Sequence, residues 1–216
     1  MRIGIIGSGL MGGKLGILFA RAGHEVVFSY SRRYEKLQDL ARQAGGGARA
    51  GAPLEAAREA DAILLAVHWS RLDDVLSQAS DLSGKIIVSC CVPLNIENTE
   101  LVVAHNSSGA EVMAEKVPGA RVVAAFQAVS SEVFFDVFEA RESPTRPSLV
   151  YCGDDTNSKA IAAQLIGEIG FDPVDAGPLR IARYIEPFAM LIGQLAYEGP
   201  GGPELAYRFE WFGSKA

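Results

Sequence analysis

The run IGIIGSGLMGGKLG, Ile3 to Gly16, constrains this chain more than any other feature. It sets Gly7, Gly9 and Gly12 in the order G-x-G-x-x-G, directly behind a short apolar stretch (Arg2 to Ile6) and ahead of a helix-length segment (Leu10 to Ala22). Each glycine answers a separate physical need. Gly7 permits a tight turn, Gly9 lets the backbone approach a pyrophosphate, and Gly12 lets the helix lie close against the strand. The helix N-terminus behind them offers unpaired N–H groups and the positive end of its dipole to a phosphate. A phosphate loop of the other common kind does not fit, because Ser8 stands where its first glycine belongs and Leu15 follows Lys14 where Ser or Thr is required. Strand, turn and helix together predict a dinucleotide-binding unit.

The rest of the chain continues the alternation. Further apolar runs at Glu25 to Tyr30, Asp61 to Val67, Lys85 to Cys90, Arg121 to Phe126, Ser148 to Cys152 and Phe171 to Val174 read as strands. Between them lie helix-length segments at Arg33 to Gln43, Leu54 to Glu59, Ser70 to Ala79, Ser107 to Lys116 and Asn157 to Ile169. Strands alternating with helices predict an α/β fold: a Rossmann-type, doubly wound and mostly parallel sheet covered on both faces. The glycine-rich AGGGARAGA, Ala44 to Ala52, sits inside the alternation and is expected to hold a short third strand with its turns. The alternation stops after Pro178. Residues 1–178 are therefore read as the dinucleotide-binding domain, with 148–178 a βαβ-like extension of its sheet, and 179–216 as a small C-terminal helical region. In that region a long helix, Leu179 to Tyr197, is expected to be followed by turns and a short aromatic helix in EGPGGPELAYRFEWF.

The end of the second strand names the coenzyme. About 20 residues beyond the glycines, NAD-binding folds carry a carboxylate for the ribose hydroxyls, whereas an arginine accommodates the extra phosphate of NADP. The window Ser29 to Arg33 holds no carboxylate. It offers the Ser31 hydroxyl and the planar cations Arg32 and Arg33, with Lys36 one helical turn on. Cations at a helix N-terminus oppose its dipole and call for an anion beside them. The cofactor predicted is NADP. Further contacts are expected beyond the carboxyl ends of the fourth and fifth strands, where LAVHWS and SCCVPL lie and where His68 and Trp69 are candidates to line the dinucleotide.

Composition excludes several other functions. A formal net charge of −6, with Lys and Arg scattered along the chain, argues against a nucleic-acid partner, which needs a concentrated basic face. No apolar run reaches the roughly 18 residues needed to span a bilayer, and no leader pattern opens the chain. No membrane partner is expected; the reading is a soluble, cytoplasmic protein. Cys90, Cys91 and Cys152 form neither a metal spacing nor a disulfide framework and are expected to be buried, reduced thiols. No metal site is predicted. His24 and the pair Asp154 and Asp155 are read as structural, the latter as caps of the helix that follows. The stripe Phe188, Leu191, Ile192, Leu195 is read as core or as a dimer seam.

No side-chain acid or base presents itself as catalytic. There is no Ser-His-Asp order or paired-carboxylate motif, and only about forty residues follow Pro178, where a reductase of carbonyls or imines would carry a helical domain with a proton donor. Hydride transfer between two bound redox rings needs neither, since the cofactors carry the chemistry and the protein supplies alignment. The expected partner is a small redox molecule.

The motifs GSGLMG, SRR at Ser31 to Arg33, VVAAFQAVSSEVF from Val122, VYCGDD from Val150, DAGPL from Asp175 and ARYIEPFAMLI from Ala182 together resemble one family. It is that of the NADP oxidoreductases dependent on coenzyme F420, a deazaflavin, with related bacterial dinucleotide-binding reductases and the reductase domain of the STEAP metalloreductases. The likeness spans nearly the whole chain. It implies that Ser8, Gly9, Leu10 and Met11 cradle the pyrophosphate and that Ser31, Arg32 and Arg33 hold the phosphate of NADP. It further implies that Val67, His68, Val92, Pro93 and the segment Phe126 to Val129, with Gln127 and Ala128, surround the nicotinamide and a second ring. That ring would be coenzyme F420 or a flavin as second substrate, with Arg180 and Arg183 the best candidates to meet its anionic tail; a homodimer built on the C-terminal helices is also implied. GSGLMG resembles 6-phosphogluconate and hydroxyacid dehydrogenases too, which keeps open a reductase of a small imine or carbonyl. A non-catalytic protein that senses NADP(H) is the third reading.

Overall fold

The computed structural model describes residues 1–213. Eight strands form one sheet: β1 (Arg2–Ile6), β2 (Glu25–Ser29), β3 (Arg49–Ala50), β4 (Ala62–Leu65), β5 (Ile86–Ser89), β6 (Arg121–Ala125), β7 (Ser148–Gly153) and β8 (Asp172–Asp175). Their order is β3-β2-β1-β4-β5-β6-β7-β8. The strands run parallel except that β7 pairs antiparallel to β6, with Ala124 opposite Cys152. The chain reverses between β1's two neighbours, so the β1/β4 boundary is the switch point where an open sheet of this kind leaves a crevice for a ligand.

Both faces are covered, as the near-continuous burial of the inner strands requires. On one face α1 (Leu10–Arg21), α2 (Tyr34–Ala44), α6 (Phe134–Glu139) and α7 (Thr156–Glu168) share a core with alternate strand side chains. A chain of edge-to-face rings, Phe19, Phe126, Phe134 and Phe171, runs through it. On the other face α3 (Pro53–Arg58), α4 (Leu72–Ala79), α5 (Gly109–Lys116) and α8 (Ala182–Gly193) close a second core. A π-helical turn, Gln194–Glu198, extends α8.

The small elements explain themselves locally. Asp155 caps α7 by accepting from the Ser158 N–H at 2.8 Å, and Asp154 accepts from the Leu179 N–H at 2.9 Å, so both carboxylates serve as caps. His24 is buried and bonds Glu168 Oε2 through Nε2 at 2.6 Å, a structural role. All three cysteines are buried free thiols; burial pushes Cys90 well up and Cys91 to about 11.

One helix was not expected, and one expectation differs from what is found. The helix α6 falls in FFDVFE, too short for its periodicity to show in the sequence. The aromatic segment after Pro203 is not a helix. Residues 205–209 form no regular element instead, Leu205 and Tyr207 packing against the second core, with the Tyr207 carbonyl accepting from the Ser148 N–H at 2.8 Å and the Phe209 N–H donating to Ser148 Oγ at 2.9 Å. Those bonds satisfy the backbone groups that a helix would have paired internally. The stripe on α8 also splits, since Ile192 is buried and Phe188 packs on Tyr207 while Leu191 and Leu195 are half exposed. No described helix is long and apolar enough to cross a membrane.

Candidate functional site

A cleft of about 880 Å³ opens beyond the carboxyl ends of β1, β2 and β4. Its floor is the glycine turn. Gly7 has φ +104°, and a Cβ there would meet the Ala66 carbonyl oxygen at 2.3 Å. Gly12 lies so close beneath that a Cβ would stand 2.0 Å from the Gly7 oxygen. Gly9 has nothing within 4 Å of its Cβ direction, so the backbone there stands open to a ligand. Ser8 is buried, its hydroxyl donating to the Ser29 carbonyl at 2.9 Å and pinning the turn to the end of β2. The N-terminus of α1 follows, with Gly9 as its cap and no side chain satisfying its first N–H groups.

The cleft brings Gly7, Ser8, Gly9, Ser31, Arg32, Arg33, Lys36, Val67 and His68 onto one surface. Arg32 and Arg33 are exposed at the start of α2. Neither takes part in a salt bridge among the described residues. Two free guanidinium groups at a helix N-terminus are placed where only an incoming anion would pair them.

His68, just beyond β4, is held at both ring nitrogens. Nδ1 accepts from the Ser70 N–H at 3.2 Å, and Nε2 faces two acceptors, the Asn95 carbonyl at 3.2 Å and Asn98 Oδ1 at 3.1 Å. Hydrogen bonds at both nitrogens fix the orientation of the ring.

Seven of the predicted residues lie off the cleft surface. Leu10 is exposed and Met11 half buried on α1, and Gly12 serves packing. Val92 and Pro93 follow the end of β5, and Gln127 and Ala128 follow the end of β6. There Gln127 Nε2 donates to the Cys91 carbonyl at 2.6 Å, while its buried Oε1 has no partner. Phe126, with φ +63°, turns the chain into this segment from the left-handed region, a strained posture that its buried aromatic neighbours hold in place.

Arg183 does not stand free for an anionic tail. Its guanidinium forks onto Glu111 at 2.7 and 2.8 Å, which holds the Glu111 carboxyl below its usual range. Arg180 is exposed. Lys14, on α1, reaches across to the Ser131 carbonyl at 2.9 Å.

Sequence reasoning missed one wall of the cleft: Tyr30, Arg71, Asp74 and Gln78. Tyr30 donates its phenol to Asp74 Oδ2, and Gln78 Nε2 donates to Asp74 Oδ1 at 3.2 Å. Burial and the Asp74 bond push the Tyr30 phenol up to about 12; the same bond holds the Asp74 carboxyl down. Their spacing on α4 was legible as one helical face, but nothing local ties it to Tyr30.

It missed Glu186 as well. This carboxylate on α8 is buried and accepts from the Gly109 N–H at 2.8 Å and the Ala110 N–H at 3.0 Å, so it caps α5 from another helix. Burial pushes its pKa up to about 7, against those two bonds and the Gln127 amide, which draw it down.

Comparison with known proteins agrees with this geometry. Residues 2–93 match the model of a family described as NADP oxidoreductase coenzyme F420-dependent. Rat metalloreductase STEAP3 is 28% identical over 185 residues, which cover 86% of this chain but only 36% of that protein's length. Among solved structures, an Arthrobacter sp. FB24 protein described as a candidate F420-dependent NADP reductase superimposes with a TM-score of 0.84 at 22% identity, over 97% of this chain and 99% of its own. A hypothetical protein of Sinorhizobium meliloti gives 0.75 at 25% identity, over 97% and 96%. Through residues 2–93 the chain is thus similar to the family of NADP oxidoreductases described as coenzyme F420-dependent, and the solved structures share its fold.

Proposed function

We propose that this chain passes a hydride between the nicotinamide of NADP(H) and a flavin-like or deazaflavin ring, with coenzyme F420, which the family's description names, as the first acceptor to try. The observation that carries the reading is the carboxylate-free wall of Ser31, Arg32, Arg33 and Lys36 beside the Gly7 to Gly9 turn in one cleft. NADP(H) suits these residues. Gly9 leaves its approach open, the uncapped α1 N-terminus favours a pyrophosphate, and the unpaired arginines favour a further phosphate.

The coenzyme, when bound, supplies or receives the hydride; the chain's own groups bind and align. Val67 and His68 flank the cleft beyond β4, and His68 is fixed by the loop that holds Asn95 and Asn98. A ring held at both nitrogens suits positioning, in keeping with a reaction that needs two rings set face to face.

The test is loss of the reduced-nicotinamide absorbance when purified protein meets NADPH with coenzyme F420, with FMN separately, and NADH as the control. Oxidation of NADPH by F420, at least about tenfold faster than that of NADH, is expected from the loss of one charge-assisted phosphate contact. No turnover with any flavin, deazaflavin or ferric chelate would sink the reading. Turnover with a cyclic imine instead would favour the imine or carbonyl reductase, and tight, redox-selective NADP(H) binding without turnover would favour the sensor.

The exposed apolar side chains Tyr184 and Leu191 on α8 and Leu195 on the π-helical turn, with Trp211 and Phe212 beyond it, support a homodimer across this surface. Light scattering is expected to give twice the 23.0 kDa chain mass. A monomer at micromolar concentration would remove the dimer and leave the cleft as it is.

A further inference from the structure

Tyr30 lines the cleft, and its backbone is in an uncommon state. Its φ is +58°, a conformation that glycine adopts freely and aromatic residues rarely. A large side chain kept at such a position needs something to hold it and something to do. The holding is visible: the phenol donates to Asp74, whose other oxygen is fixed by Gln78. With its proton committed to Asp74, the hydroxyl has no donor to offer a ligand. What remains for a ligand is the ring itself, which lines the cleft, and a flat aromatic ring offers a face to stack on.

Position says which part of the coenzyme that face meets. Tyr30 directly precedes Ser31, Arg32 and Arg33, the residues suited to the phosphate on the adenosine ribose. The other ring of the coenzyme would lie toward Val67 and His68, past the glycine turn. Between the arginines and α4 the cleft therefore has room for a flat, uncharged heterocycle, and an aromatic face is the surface that such a base stacks on.

We infer that the Tyr30 ring, tethered through its hydroxyl to Asp74, is the platform for the adenine base, so that Tyr30 sets affinity for the purine and not for the phosphate beside it. This rests on the NADP(H) reading above. Arg32 and Arg33 distinguish NADPH from NADH; the Tyr30 platform treats the two alike.

Titration calorimetry on the full chain separates these roles, using adenosine 2′,5′-bisphosphate, NADPH, NADH and reduced nicotinamide mononucleotide as probes. Tyr30→Gly removes the ring and suits the left-handed backbone, which offsets part of the lost packing and of the lost Asp74 bond, and its melting temperature is measured to check that the variant folds. It should weaken adenosine 2′,5′-bisphosphate, NADPH and NADH alike, by about tenfold or more, and leave reduced nicotinamide mononucleotide unchanged. Tyr30→Phe keeps the face without the tether and should fall between wild type and Tyr30→Gly. Binding of the bisphosphate to Tyr30→Gly within about twofold of wild type would overturn the platform, as would tighter binding, which would make the ring an obstacle. An equal loss of nicotinamide mononucleotide would overturn it too. If wild type itself fails to bind adenosine 2′,5′-bisphosphate, the NADP(H) reading falls and the platform with it.

Discussion

Replacing Arg32 and Arg33 together by alanine is expected to cost NADPH about 2–4 kcal/mol of binding, roughly a 30- to 1000-fold loss, while NADH changes by no more than about threefold. A charge-assisted hydrogen bond contributes roughly 1.5–3 kcal/mol, and about 1–2 kcal/mol is expected from each arginine because both are exposed and screened by solvent. The two stand at the start of α2 without a carboxylate partner among the described residues, so their removal leaves no counter-charge stranded in the fold. Stability should therefore move little. The comparison is made by fluorescence titration of both reduced coenzymes at two salt concentrations, since the NADPH preference of wild type should shrink as salt rises. Equal losses for NADPH and NADH would contradict the phosphate role.

The second large effect is on stability. Glu186→Ala should destabilise the chain by roughly 2–5 kcal/mol, because the buried Gly109 and Ala110 N–H groups would each lose their acceptor, at about 1–3 kcal/mol apiece. The pH dependence has a definite sign. Burial raises the folded pKa of Glu186 from 4.5 to about 7, so between those values the folded state binds more protons than the unfolded chain. Its contribution is full below the unfolded value, falls as pH rises through about 7, and then levels off, a change on the order of 2–3 kcal/mol. Glu186→Gln, which cannot titrate, should lack this slope, and the gap between it and wild type should narrow as pH rises. Denaturant melts at several pH values would show it. Parallel stability curves for the two proteins would mean that Glu186 keeps one charge state throughout.

The parts of the molecule that were legible in the sequence are those whose causes are local. The turn at Gly7, Gly9 and Gly12 could be read because each glycine meets a constraint set within a few residues, and the strands because burial on both faces leaves apolar runs. The reversal of β7 against β6 left no such mark; a strand buried on both faces has the same composition in either direction. The run at Leu205 to Phe209 did carry a signal, the two-residue alternation of Leu205 and Tyr207, but the neighbouring glycines and aromatic cluster drew attention to turns and a helix. Of the candidate site, Arg32 and Arg33 were legible from the missing carboxylate. The Tyr30–Asp74 pair and the bonds from Glu186 to α5 were not, since each joins side chains far apart in sequence and neither leaves a pattern within a single element.

Every residue lining the large cleft lies between Gly7 and Gln78, whereas Gln127, the turn at Phe126 and the whole of α8 come later in the chain. On the proposed reading, the coenzyme socket and the surface facing a second substrate would be written in successive, separable stretches of sequence. Changes in the later stretch would then alter which acceptor is served without loosening the grip on the coenzyme. Relatives that share the first ninety residues need not share an acceptor, and swapping the later segments between them would be a direct route to new electron partners for an unchanged coenzyme.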